Sequence, residues 1–95
     1  MKFPTPLAFD WDEGNQEKNW NRHGVHYREI EEVFFNKPIK IFSDVTHSQT
    51  EHRFLAYGKT NTGDLLAVVF TIRDQKLRVI SARRQNKKER YIYET

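Results

Sequence analysis

The chain reads as an α+β domain with a single, mainly antiparallel sheet, two N-terminal helices and a short C-terminal helix. Three observations predict this. Two polar segments with helix-start and helix-stop residues occupy positions 12–37. Strand-like runs at 53–60, 65–72 and 76–82 follow, with turn residues between them. A basic segment after position 84 then opens with the spacing of a capping box, Asn86 and Glu89. One helical layer can cover one face of such a sheet. The other face is left partly open to a partner or substrate.

In order, residues 3–6 are irregular, with prolines at 4 and 6, and 7–11 form a short first strand. Asp12 is an N-cap, Glu13 suits a first helical turn, and Gly24 suits the position after a last one. This helix is polar, with Trp20 as its one large apolar side chain, so it is expected on the surface, held by few contacts. A second helix begins at His26-Tyr27; Tyr27, Ile30, Val33 and Phe34 make one apolar stripe. Pro38 ends it, and 39–42 is a strand. Positions 44–50 read as a loop. The run 65–72 is nearly all apolar and is expected as a central strand covered on both faces. The 95 residues make one domain, 1–95, with no internal repeat or linker.

Only 37% of residues are hydrophobic but 14% are aromatic, so a few large rings must supply much of the core. There is no cysteine, which excludes disulfides and thiolate metal sites. No signal peptide or membrane-length apolar run is present, so a soluble cytoplasmic protein without membrane attachment is expected. Charge is uneven. Residues 1–75 hold 9 Lys/Arg against 11 Asp/Glu, net −2; residues 76–95 hold 7 against 2, net +5. A basic terminal patch fits a nucleic-acid or acidic-protein partner, or simply a solvated helix.

The run 77–84 carries an arginine pair at a strand end. Strict alternation puts Arg83 on the Leu77/Val79/Ser81 side and Arg84 on the Ile80/Ala82 side. One arginine can then hold the sheet end while the other faces an anion, for which a guanidinium fork is suited. Glu51 and Arg53 are two apart and share a strand face; they form an edge ion pair or converge with Arg83. His23, beside Gly24, favours a helix C-terminus or serves as an acid or base. His47, Glu51 and His52 match no helical metal motif, so neither metal nor cofactor is expected. Metal-free RNA cleavage needs a base for the 2′-hydroxyl, an acid for the leaving oxygen and cations for the phosphorane. His or Glu could transfer protons, Arg53, Arg83 and Arg84 could supply charge, and Lys87, Lys88 and Arg90 could hold flanking phosphates.

Several segments together resemble one family. They are Phe9-Asp10-Trp11-Asp12-Glu13, Asn19, Arg22-His23-Gly24-Val25 and Glu32-Val33-Phe34 in the first half. In the second half they are His47-Ser48, Glu51-His52-Arg53-Phe54, Gly58-Lys59-Thr60, 66–71, Ile80-Ser81-Ala82-Arg83-Arg84, Lys88-Glu89-Arg90 and Tyr93-Glu94. Their order and spacing over about residues 8–94 resemble the BrnT-type toxins of bacterial type II toxin–antitoxin systems.

The resemblance implies a RelE-like fold and a metal-independent endoribonuclease that stops translation. It implies neutralisation by a BrnA-type antitoxin, with operator DNA met only through that partner. His23, Glu51, Arg53 and Arg83 match recurrent charged positions and are the expected catalytic set, with Arg83 as phosphate ligand and His23 or Glu51 transferring protons. Lys18, Arg84, Lys87, Lys88 and Arg90 are the expected RNA-binding set. Two positions depart from the family pattern. Asn15 stands where a lysine is common, with Lys18 three residues on, and His26 stands where Ser or Thr often caps the second helix, weakening that cap by about 1 kcal/mol. Asn15 supports a second reading, a catalytically weak antitoxin-binding co-repressor. A general basic RNA-binding domain ranks last, for want of a recognition motif.

Overall fold

A computed structural model describes residues 2–44 and 51–95. The elements run α1 (Glu13–His23), α2 (Tyr27–Val33), β1 (Lys40–Ser43), β2 (Arg53–Lys59), β3 (Leu65–Arg73), β4 (Lys76–Arg84) and α3 (Lys87–Glu94). The strands form one antiparallel sheet in the order β1-β2-β3-β4. His47 and most of the predicted 44–50 loop lie outside the described residues.

Local chemistry sets the helix ends. Asp12 and Asn15 exchange side-chain-to-backbone hydrogen bonds of 2.6 and 2.9 Å, and Gly24 closes α1 at φ 66°. Asn86 and Glu89 make the same reciprocal pair at α3, both at 2.9 Å. The departure at α2 does not remove the cap. His26 does cap it: its Nδ1 accepts from Arg28 N at 3.2 Å and Glu29 returns the bond to His26 N at 3.1 Å. A neutral imidazole nitrogen can accept as a hydroxyl does.

Residues 7–11 are not a strand. Phe9 makes one isolated parallel bridge to Leu77, with Leu77 N donating to Ala8 O and Asp10 N to Leu77 O. The segment runs along β4 only briefly before α1 starts.

The helix face of the sheet meets α1 and α2. Ala56 of β2, Leu66, Val68 and Phe70 of β3 and Leu77, Val79 and Ala82 of β4 pack on Ile30, Val33 and Phe34. Rings do much of the filling: Phe70 contacts Phe34 edge-on at 5.2 Å and stacks with Phe54 at 5.4 Å. Gly58 lets α2 approach closely, for a Cβ there would lie 2.6 Å from Val33 Cγ1.

Contrary to expectation, α1 is firmly docked. Trp20 is 57% exposed, while Asn15 and Asn19 are buried. Asn19 Oδ1 accepts from Ala82 N at 2.8 Å, Asn15 Nδ2 donates to Val79 O at 3.2 Å and Lys18 Nζ donates to Ile80 O at 3.2 Å. β4 is an edge strand, and these side chains satisfy backbone groups that no further strand pairs.

Among the described residues the second face is covered at one end, where Tyr93 of α3 packs on Tyr57 and Ala67. β3, expected to be covered on both faces, is partly open at Val69.

Candidate functional site

Strand register decides what the second face presents. β2, β3 and β4 place Arg53, Thr71 and Arg78 in one row, Leu55, Val69 and Ser81 in the next, and Tyr57, Ala67 and Arg83 in a third. Between Val69 and Phe70 the pairing slips, so that Val69 faces Ser81 but Phe70 faces Val79. Ile80 is the extra residue of a β-bulge, and a bulge inverts every later side chain. This corrects the strict alternation. Arg83 keeps Ser81 as a face-mate but lies opposite to Leu77 and Val79. Arg84 keeps Ala82 and shares the helix face with Leu77 and Val79.

The second face thus has a partly open floor of Leu55, Val69 and Ser81, bordered by Phe42, which is 41% exposed. A shallow depression of about 180 Å³ is lined by Asp44, Arg53, Val69, Ile80 and Ser81. At one end Glu51 bridges Arg53 at 3.6 Å and Arg73 at 3.7 Å. At the other end stands Arg83. Four residues along and two strands across separate Arg53 from Arg83, roughly 16 Å between Cα atoms at ordinary sheet spacings.

Arg83 is held in place. Its Nη1 and Nη2 donate to the two oxygens of Glu89 at 2.6 and 2.8 Å, and Nη1 also meets Arg84 O at 3.3 Å. The guanidinium holds the Glu89 carboxyl below its ordinary range, and Glu89 in turn raises Arg83. Burial, and then the Glu89 charge, push the Tyr57 phenol up, which keeps its proton on. Around this group Gln85 is buried and donates to Leu66 O at 3.0 Å, and Arg90 Nη1 donates to Gln85 O at 3.0 Å. The start of α3 is fastened to the sheet end.

The predicted catalytic residues therefore fall into three places. Glu51 and Arg53 are together at one end of the open face. Arg83 is on that face at the other end. His23 lies at the end of α1, where its carbonyl accepts from Arg84 Nη1 at 3.2 Å. Of the predicted RNA-binding residues, Lys87 and Lys88 are exposed in the first turn of α3. Lys18 reaches the carbonyl at the bulge, Arg84 the end of α1, and Arg90 packs back on Gln85. Glu89 and Arg73 were not singled out from sequence as site residues. The cap spacing located Glu89, but its second duty depends on where Arg83 points. Asn15, the departure from the family pattern, is fully used in the α1 cap and the bond to Val79 O. Among the described residues no cluster of His, Asp or Glu is arranged to hold a metal ion, and no helix is long and apolar enough to cross a membrane.

Comparison with known proteins matches the chain to one family. A family model described as "Ribonuclease toxin, BrnT, of type II toxin-antitoxin system" matches residues 11–89. Among solved structures, the chain is similar to the ribonuclease toxin BrnT of Brucella abortus, crystallised at 1.1 Å resolution. The identity is 25% and the TM-score 0.64, over 85% of this chain and 99% of that one. A search of curated proteins returned no match.

Proposed function

The chain belongs to the BrnT family of ribonuclease toxins of type II toxin–antitoxin systems, and from that premise we propose that it is a metal-independent endoribonuclease that arrests translation. The observation that carries this reading is the open sheet face, with Glu51 and Arg53 at one end and Arg83 at the other. RNA laid across Leu55, Val69 and Ser81 meets a guanidinium at either end of a stretch a few nucleotides long. Arg83 contacts the scissile phosphate and stabilises the phosphorane. Proton transfer falls to Glu51 or His23; Glu51 shares the open face but stands at the end away from Arg83, and His23 sits with Arg84 beyond the β4 edge. Lys87 and Lys88 hold flanking phosphates, aided by Lys18, Arg84 and Arg90, with affinity falling as salt rises. A BrnA-type antitoxin neutralises the toxin and carries the operator-binding part of the complex. The chain acts in the cytoplasm.

The test is cleavage of a labelled, partly single-stranded RNA by the purified chain in EDTA, beside Arg83→Ala. Wild type is expected to cleave, and folded Arg83→Ala to be slower by about 10²–10³-fold, as for loss of one transition-state donor. A folded Arg83→Ala with full activity would refute the assigned role. Absence of cleavage on free RNA and on translating ribosomes would refute the ribonuclease reading and favour an antitoxin-binding module.

A further inference from the structure

Arg83 has more donors than its partner uses. A guanidinium carries five N–H groups. Glu89 takes one from Nη1 and one from Nη2, end-on, and Arg84 O takes the second from Nη1. What remains is Nε–H beside the outer Nη2–H, and these two point the same way. They form a side-on fork of the kind that grips two phosphate oxygens. No bond to Nε–H is present among the described residues, and the Arg83 side chain is 44% exposed against 10% for Glu89. The carboxylate is the buried partner of the pair and the guanidinium the more exposed one.

We infer that Glu89 is the positioning residue for Arg83, clamping it end-on so that its side-on fork is presented to an RNA phosphate. This rests on the ribonuclease reading of the same face. Two further contacts make the clamp rigid. Glu89 Oε1 also accepts from Asn86 N at 2.9 Å, so the oxygen that grips Arg83 closes the cap of α3. Gln85, immediately before that cap, is fastened to Leu66 O. Arg83 is thereby oriented only when α3 is folded onto the sheet. A rigid anion beside a phosphate also repels it. Glu89 should therefore weaken ground-state binding while improving the geometry of the transition state.

Glu89→Gln separates these effects. A glutamine at this position can still accept from Asn86 N, so the cap is retained. Its amide nitrogen cannot accept from the second Nη, so the fork is lost. With helix content and melting temperature close to wild type, kcat should fall at least ten-fold while KM is unchanged or lower. A role confined to holding α3 would leave kcat unchanged. In an Arg83→Ala background, Glu89→Gln should cause no further fall in kcat, because its effect passes through Arg83. A further ten-fold loss there would overturn the proposal.

A second measurement does not depend on cleavage or on the variant folding. The Nε–H resonance of Arg83 should shift and gain protection from exchange on titration with a 2′-O-methylated oligonucleotide. No shift at Nε–H while the RNA binds elsewhere would overturn the proposal. Wild type that cleaves neither free nor ribosome-bound RNA yet shows the shift would overturn the ribonuclease reading and leave the positioning role supported.

Discussion

Asn19→Ala should cost more stability than Trp20→Ala, although it removes a far smaller side chain. Asn19 is 1% exposed, and its Oδ1 is the acceptor for the buried Ala82 N–H at 2.8 Å. Alanine leaves that donor in a dry site at an edge strand, a loss of about 1–3 kcal/mol. The packing of the amide is lost as well, so about 2–3 kcal/mol in total is expected. For a domain of this size that lowers the melting temperature by roughly 8–24 °C. Trp20 is 57% exposed, and its ring lies 6.3 Å from that of His26. Its removal should cost less than about 1 kcal/mol. Urea denaturation followed by far-UV circular dichroism gives both values, and amide exchange at Ala82 reports the bond itself. If Asn19→Ala loses under about 1 kcal/mol with Ala82 still protected, α1 is not held to β4 in the way described.

Other consequences can be measured on the same material. Gly58→Ala should destabilise by about 1–3 kcal/mol in urea melts, because its Cβ would meet Val33 Cγ1 at 2.6 Å. Asp74 and Gln75 have φ of 52° and 61° in the β3–β4 turn, so Asn-Gly in their place should raise stability by about 1 kcal/mol. Glu89 is held below its ordinary value of 4.5, chiefly by Arg83. Its contribution is therefore present above that value and is lost as pH falls through the lower folded one. Acid titration of stability should be shallower in Glu89→Gln, by no more than about 1 kcal/mol given the exposed Arg83.

What was legible in the sequence was local. Asp12, Gly24 and the Asn86–Glu89 pair announce helix ends because caps act over three or four residues. The strands from Arg53 onward are apolar runs punctuated by turn residues, and their edges were placed within a residue or two of those observed. The family resemblance was legible too, since it rests on the order of such pieces. The docking of α1 was not. Asn15 and Asn19 look like solvent-facing residues, and only the neighbouring edge strand gives their amides work. How His26 caps was not legible either, because its acceptor nitrogen is a matter of tautomer, not of residue type. The grouping of the site was left open between an edge ion pair and convergence with Arg83, for a geometric reason. Proximity between Arg83 and Glu51 was an open question of which sheet end each occupies, and antiparallel pairing sends them to opposite ends.

The single unpaired residue at Ile80 sets a phase. Side chains before it and after it are counted on different beats, and two arginines stand side by side just downstream. Either could serve the open face, and the count alone decides which one does. Deleting Ile80 would leave both arginines where they are, because Val79 and Ser81 would then follow one another in regular alternation opposite Phe70 and Val69. Drawing Ile80 into regular pairing would instead move every later residue on by one partner, turning Arg84 to the open face and Arg83 toward α1. The extra residue, and not the position number, is thus what makes Arg83 the arginine of the open face.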